Sequence, residues 1–111
     1  MNGVFVMKNI GEVKFNEVRQ LTEQVNTICD FNAGIKTMSI SINDLEDGSC
    51  DVVFGGSGSR TDFLRMYAML TENLTKQLYK MHPCDCIPVG LQAAAGVGIA
   101  EGLEEAMKEG E

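Results

Sequence analysis

Apolar and polar residues alternate along this chain with two periods, and the change of period divides it into elements. Between residues 15 and 29, Val18, Leu21, Val25 and Ile28 recur at intervals of three and four, the spacing that lines one face of an α-helix. Asn16 stands where an N-cap would serve this helix, and Asn32 and Gly34 follow its end, residue types that accept the left-handed backbone of a helix stop. From Met38 the period falls to two. Met38, Ile40 and Ile42 alternate with Ser39, Ser41 and Asn43, which describes a strand with one apolar face, expected to lie on the core. Cys50, Val52 and Phe54 repeat the alternation, and Asp47-Gly48 between the two runs offers the glycine of a hairpin turn.

Residues 60–81 carry the longest helical stripe, Phe63, Tyr67, Leu70, Leu74, Leu78 and Met81, widened by Leu64, Met66 and Met69. His82-Pro83 ends it, because proline pushes its predecessor out of helical geometry. Pro88 suits the first turn of a third helix, predicted from there to Lys108. Residues 4–7 read as a short extra strand. The prediction is therefore one α+β domain over residues 1–111, a β-hairpin and an N-terminal strand packed against three helices in the order (β)-α-β-β-α-α. A two-stranded hairpin is marginal in water, so it needs a further strand, a helical cover or a second subunit.

Composition narrows the possibilities. An apolar share of 44% with 23% charged residues describes a folded chain. The net charge of −7 repels a nucleic-acid backbone and attracts a basic protein surface, so no direct nucleic-acid contact is expected. Glu101, Glu104 and Glu105, with Glu109 and Glu111, gather negative charge on one segment that could meet a basic partner or simply face water. The N-terminus lacks the long apolar core of a secretory leader, and no window holds about 18 consecutive apolar residues. A soluble, cytoplasmic protein without membrane contact is the expectation. Four cysteines, Cys29, Cys50, Cys84 and Cys86, are too sparse for a disulfide framework and read as reduced thiols.

Three segments carry candidate chemistry. The first is Gly55-Gly56-Ser57-Gly58-Ser59-Arg60, a glycine-rich stretch between a strand and a helix, where free N–H groups can cradle a phosphate or another anion. It lacks the Lys-Ser/Thr of a P-loop and the third small residue of the dinucleotide fingerprint. Ser59 and Asp62 have instead the spacing of a capping box, which would place a carboxylate at the helix start. The second segment, His82, Cys84 and Cys86, sets an imidazole and two thiols within five positions. Metal binding is one reading; a plain interhelical turn is the other, since zinc takes four ligands and usually cysteine pairs two to four residues apart.

The third segment is the last helix. Gly90, Ala94, Gly98, Gly102 and Ala106 recur every four residues as a ridge nearly free of side chains, beside a second ridge of Leu91, Ala95, Ile99, Leu103 and Met107. Each glycine costs up to about 1 kcal/mol against alanine in a helix, so close packing must compensate, against helix two or a second copy. A membrane-inserting role fits less well, because the segment is anionic.

No nucleophile, base and acid partner can be assembled around the sole histidine, so neither an enzyme nor a cofactor is expected. The leading reading is a small acidic protein-binding or adaptor module, a homodimer built on its last two helices. Small accessory proteins of phages or mobile elements share this profile, including inhibitors that fill the basic nucleic-acid groove of a host defence nuclease. The competing readings are an anion or nucleotide binder using GGSGSR and a metal or thiol protein at His82, Cys84 and Cys86.

Overall fold

The computed structural model describes the backbone of residues 2–110 and the side chains of residues 10–110; Glu111 of the acidic end lies outside the described residues. Five elements follow in order: α1 (Asn2–Asp30), β1 (Thr37–Asp44), β2 (Cys50–Ser57), α2 (Arg60–Met81) and α3 (Cys86–Glu109). The fold is α+β, with a two-stranded antiparallel sheet and three helices in the order α-β-β-α-α. Residues 4–7 are not a strand. They belong to α1, which starts well before the periodic stripe and carries Asn16 in its interior rather than at its cap. The stop of α1 also differs from expectation: neither Asn32 nor Gly34 has positive φ. The side chain of Asn32 closes the helix instead, its Nδ2 donating to Ile28 O at 2.8 Å.

Packing divides the chain into two units, Met1–Met66 and Tyr67–Glu111. In the first, the hairpin turn is closed by Leu45 N donating to Ser49 O at 2.8 Å and Gly48 N donating to Leu45 O at 3.1 Å. Gly48 sits at φ 88°, the left-handed conformation that glycine adopts without steric cost. Asp47 Oδ1 accepts from the backbone N and the hydroxyl of Ser49, and these bonds hold its carboxyl below the ordinary carboxylate range.

The register pairs Ile40 with Phe54 and Ile42 with Val52 on one sheet face, and Ser39 with Gly55 and Ser41 with Val53 on the other. The alternation is the one read from sequence, but its orientation is reversed: α1 lies on the serine and glycine face. A Cβ at Gly55 would meet Thr22, Ser39 and Asn26, so α1 approaches through the strand position with no side chain. Small residues let a helix come close; here they, not the aliphatic ones, select the covered face.

The stripe of α1 is rotated accordingly. Phe15 and Cys29 are the buried apolar side chains among the described residues, at 7% and 5% exposure. Thr22 and Asn26 lie on the same side, while Leu21, Val25 and Ile28 stay open. Arg19 caps Phe15, its guanidinium carbon 5.3 Å from the ring centroid. The seam between α1 and the sheet is thus largely polar, and Asn26 Oδ1 is buried within it without a hydrogen-bond partner.

The second unit comprises the rest of α2 and all of α3. Neither helix contains a buried residue, and the two do not pack against each other. The expectation that α3 nestles on α2 within one chain is not met.

Candidate functional site

In the first unit, α1 leaves one face of the sheet open. Ile40, Ile42, Val52 and Phe54 stand there at 65%, 59%, 50% and 62% exposure. They form two directly opposed cross-strand pairs, Ile40 with Phe54 and Ile42 with Val52, the arrangement in which aromatic and β-branched side chains stabilise each other. Met38 continues the face, and Phe63, from the first turn of α2, lies over Gly56, where an added Cβ would come within 2.6 Å of its ring. Sequence reasoning assigned these residues to the core and missed them as a surface. A signal was available: Ser39, Ser41 and Gly55 occupy the alternate positions, and a smooth polar face is where a helix can settle most closely.

The six residues considered for anion binding separate into two groups. Gly55, Gly56 and Ser57 are ladder residues of β2, paired with Ser39, Met38 and Thr37; the strand runs three residues further than its apolar alternation. Gly55 is covered by α1 and Gly56 by Phe63, so their glycine character serves close packing. Only Gly58, at φ 149°, Ser59 and Arg60 remain at the helix start.

There the capping box is formed. Asp62 N donates to Ser59 Oγ at 3.2 Å, and Asp62 Oδ2 accepts from Ser59 N at 2.9 Å and from the Ser59 hydroxyl at 3.0 Å. These bonds from Ser59, backbone first, lower the Asp62 pKa, with smaller help from the charges of Lys36 and Arg65. An anion arriving here would meet a carboxylate already seated on the Ser59 amide, just before the helix. Ser59→Ala is expected to destabilise the fold by about 1 kcal/mol, the usual cost of an N-cap, read as a lower denaturant midpoint. Because the folded-state pKa of Asp62 lies below the ordinary 3.8, its stabilising share is present above that value and is lost as pH falls through the folded pKa. The wild type should therefore lose more stability than Asp62→Asn on acidification below about pH 4, and equal losses would show that the cap does not act.

In the second unit, the structure brings His82, Cys84 and Cys86 together. Their candidate donor atoms all lie within 4.8 Å of one another, with Cys84 half-buried and the other two exposed. Cys86 N donates to Cys84 Sγ at 3.2 Å. The Cys84 thiol is held below its ordinary pKa by hydrogen bonds from the Cys86 side chain and backbone, while the Cys86 thiol, which donates to Cys84, is pushed up. All four cysteines are free thiols.

Along α3, apart from the helix's own backbone, nothing among the described residues lies within 4 Å of where a Cβ would stand at Gly90, Gly96, Gly98 or Gly102. Ala94 and the flanking Ile99 and Leu103 are exposed, and Leu91 is half-buried. Glu101, Glu104 and Glu105 are exposed too, with Glu104 paired to Lys108 at 3.4 Å. The helix is long and apolar enough to cross a membrane, and none of that stretch is buried. Compared with known proteins, the chain matches no family model, no curated protein and no solved structure.

Proposed function

We propose that this chain is a non-enzymatic protein-binding module of the cytoplasm that works as a homo-oligomer, most simply a dimer, with the open sheet face as its self-association surface. The observation that carries the reading is the outward position of Ile40, Ile42, Val52 and Phe54. At the exposures found, these four leave on the order of 400 Å² of apolar surface in water. A stable interface covers about 800 Å² per partner, with its centre more apolar than its rim, so the patch has the size of an interface centre. Burying it would contribute about 10 kcal/mol per chain before the costs of association.

A second copy is the favoured occupant for two reasons. The ribbon has two strands and hence two open edges, and a two-stranded sheet is marginal alone; a two-fold copy supplies the missing layer without a further gene product. The pairs Ile40–Phe54 and Ile42–Val52 also carry no charge, which lets two chains of net charge −7 meet where their repulsion is weakest. The glycine ridge of α3 offers a second self-complementary surface. The dimer would then present Glu101, Glu104 and Glu105 twice over to a basic partner. The groove of a nuclease met by a phage or mobile-element accessory protein is a surface of that kind.

Light scattering on the purified chain is expected to give about twice the 12.1 kDa monomer mass. Raising salt should strengthen self-association by screening the like charges, and weaken capture of a basic partner. Gly98→Leu is expected to lower the oligomeric mass or the melting temperature by placing an isobutyl group on the ridge. A monomer in wild type and variant alike would overturn the reading.

The exposed α3 favours one second reading, insertion into a lipid surface, where small residues every four positions promote helix pairing. Its 24 residues span about 36 Å at 1.5 Å per residue, enough for the roughly 30 Å hydrocarbon layer, but the uncharged run from Cys86 to Ala100 covers only about 22 Å of that. Flotation of the chain with lipid vesicles would favour this reading over the first.

A further inference from the structure

We propose that the turn between α2 and α3 is a zinc site, with His82, Cys84 and Cys86 as three ligands and a fourth position open to solvent. The donors come from one turn of one chain, so the site stands independently of the self-association argued above.

The geometry is close to what the ion requires. Zn–S bonds of about 2.3 Å and Zn–N bonds of about 2.0–2.1 Å in a tetrahedron set neighbouring donors about 3.4–3.8 Å apart. The three donor atoms already lie within 4.8 Å of one another, and two of their side chains are exposed and free to rotate the remaining distance. The backbone is fixed independently of any ion. His82 N donates to Leu78 O at 3.0 Å, anchoring the His82 backbone to the last turn of α2, and Ile87 N donates to Cys84 O at 3.1 Å, starting α3. Pro83 stiffens the link between them.

The surroundings favour anionic ligands. The amide of Cys86 already donates to Cys84 Sγ, the kind of outer hydrogen bond that orients a ligating thiolate. Both sulfurs stand at the N-terminus of the 24-residue α3, where the helix dipole stabilises negative charge. Asp85, the residue before the helix, makes no side-chain capping bond, so it does not tie up those amides as Asp62 does in α2. Two thiolates and one imidazole form a soft donor set that selects zinc over magnesium or calcium. The single residue between the cysteines, which counted against a four-ligand structural site, suits a three-ligand site folded over one helix start.

The test uses the full chain, reduced and freed of metal, titrated with cobalt(II) as the spectroscopic probe and then with zinc against a competing chelator. One cobalt per chain should produce thiolate-to-metal charge-transfer absorption, and zinc should bleach it at one equivalent. Each cysteine supplies its ligand by losing a proton to solvent, so binding should acidify an unbuffered sample. Cys84→Ser and Cys86→Ser should each weaken zinc by at least about 100-fold, and His82→Asn by about tenfold or more, the range already seen for losing a ligand's outer support. Cys50→Ser, on the hairpin, should leave affinity unchanged. Circular dichroism confirms that each variant stays helical. Absence of charge-transfer absorption at one equivalent, or full affinity in the Cys84→Ser/Cys86→Ser double variant, overturns the assignment.

Discussion

Phe54→Glu is expected to convert the proposed dimer to monomers. Phe54 is 62% exposed on the open sheet face and directly opposite Ile40, so no contact within its own unit depends on filling a closed cavity. In a two-fold dimer one substitution acts on both sides. Removing about 130 Å² of apolar burial per copy forfeits about 3 kcal/mol each, or about 6 kcal/mol per dimer. A dissociation constant then weakens by at least about 10⁴-fold, before the cost of setting two carboxylates against an apolar surface. Light scattering across a dilution series reads this as a mass falling toward 12.1 kDa. Ile42→Glu, on the neighbouring cross-strand pair, should act in the same direction. If the variant keeps the wild-type mass, the sheet face is not the interface. If mass and helicity fall together, the hairpin depends on its partner copy for folding, as a two-stranded sheet with a polar seam would.

The order of elements could be read from sequence because it depends on local spacing. The stripe from Phe63 to Met81 fixes a helix over Arg60–Met81, and Pro83 fixes its end; no tertiary information is needed for either. Alternation in Met38–Ile42 and Cys50–Phe54 likewise gives two strands and their turn. The start of α1 is misread from sequence, since the apolar run at residues 4–7 has the look of a short strand although Val6, Ile10 and Val13 keep the helical interval, and these residues belong to α1. More instructive is the sheet, whose period was right and whose inner face was not. Period two states that two faces differ, but not which one is covered. That choice follows from how closely a helix can approach, and Gly55, Ser39 and Thr22 decide it by their small size. The capping pair Ser59 and Asp62 was legible because its partners lie three residues apart. For the same reason the cluster of His82, Cys84 and Cys86 could be found as a spacing, whereas the approach of its three donors needed the turn's backbone.

The close approach at Gly55 leads to the second large effect: Gly55→Val should lower stability by about 2–3 kcal/mol, within the range for overpacking. Gly55 is buried and has no positive φ, so the obstacle is not backbone strain. A Cβ there would overlap Thr22 Cγ2 and lie 3.1 Å from Ser39 Oγ. The threonine methyl cannot swing aside cheaply, because its branched Cβ is attached directly to the helix backbone and the same side chain donates to Val18 O at 2.9 Å. Either α1 lifts from the sheet or the threonine loses its rotamer and its hydrogen bond. Gly11, inside the same helix, provides the contrast: apart from the helix's own backbone, nothing among the described residues lies within 4 Å of its Cβ position. Gly11→Ala should therefore stabilise by up to about 1 kcal/mol through helix propensity alone. Opposite signs for Gly55→Ala and Gly11→Ala in thermal unfolding would show that one glycine provides room and the other none. A double-mutant cycle tests the contact itself. Thr22→Ala removes the obstructing methyl, so Gly55→Ala should cost less in its presence than alone, with a coupling of about 1 kcal/mol. Strict additivity would mean that α1 does not rest on this face, and the exposure of Phe54 on the other would lose its explanation.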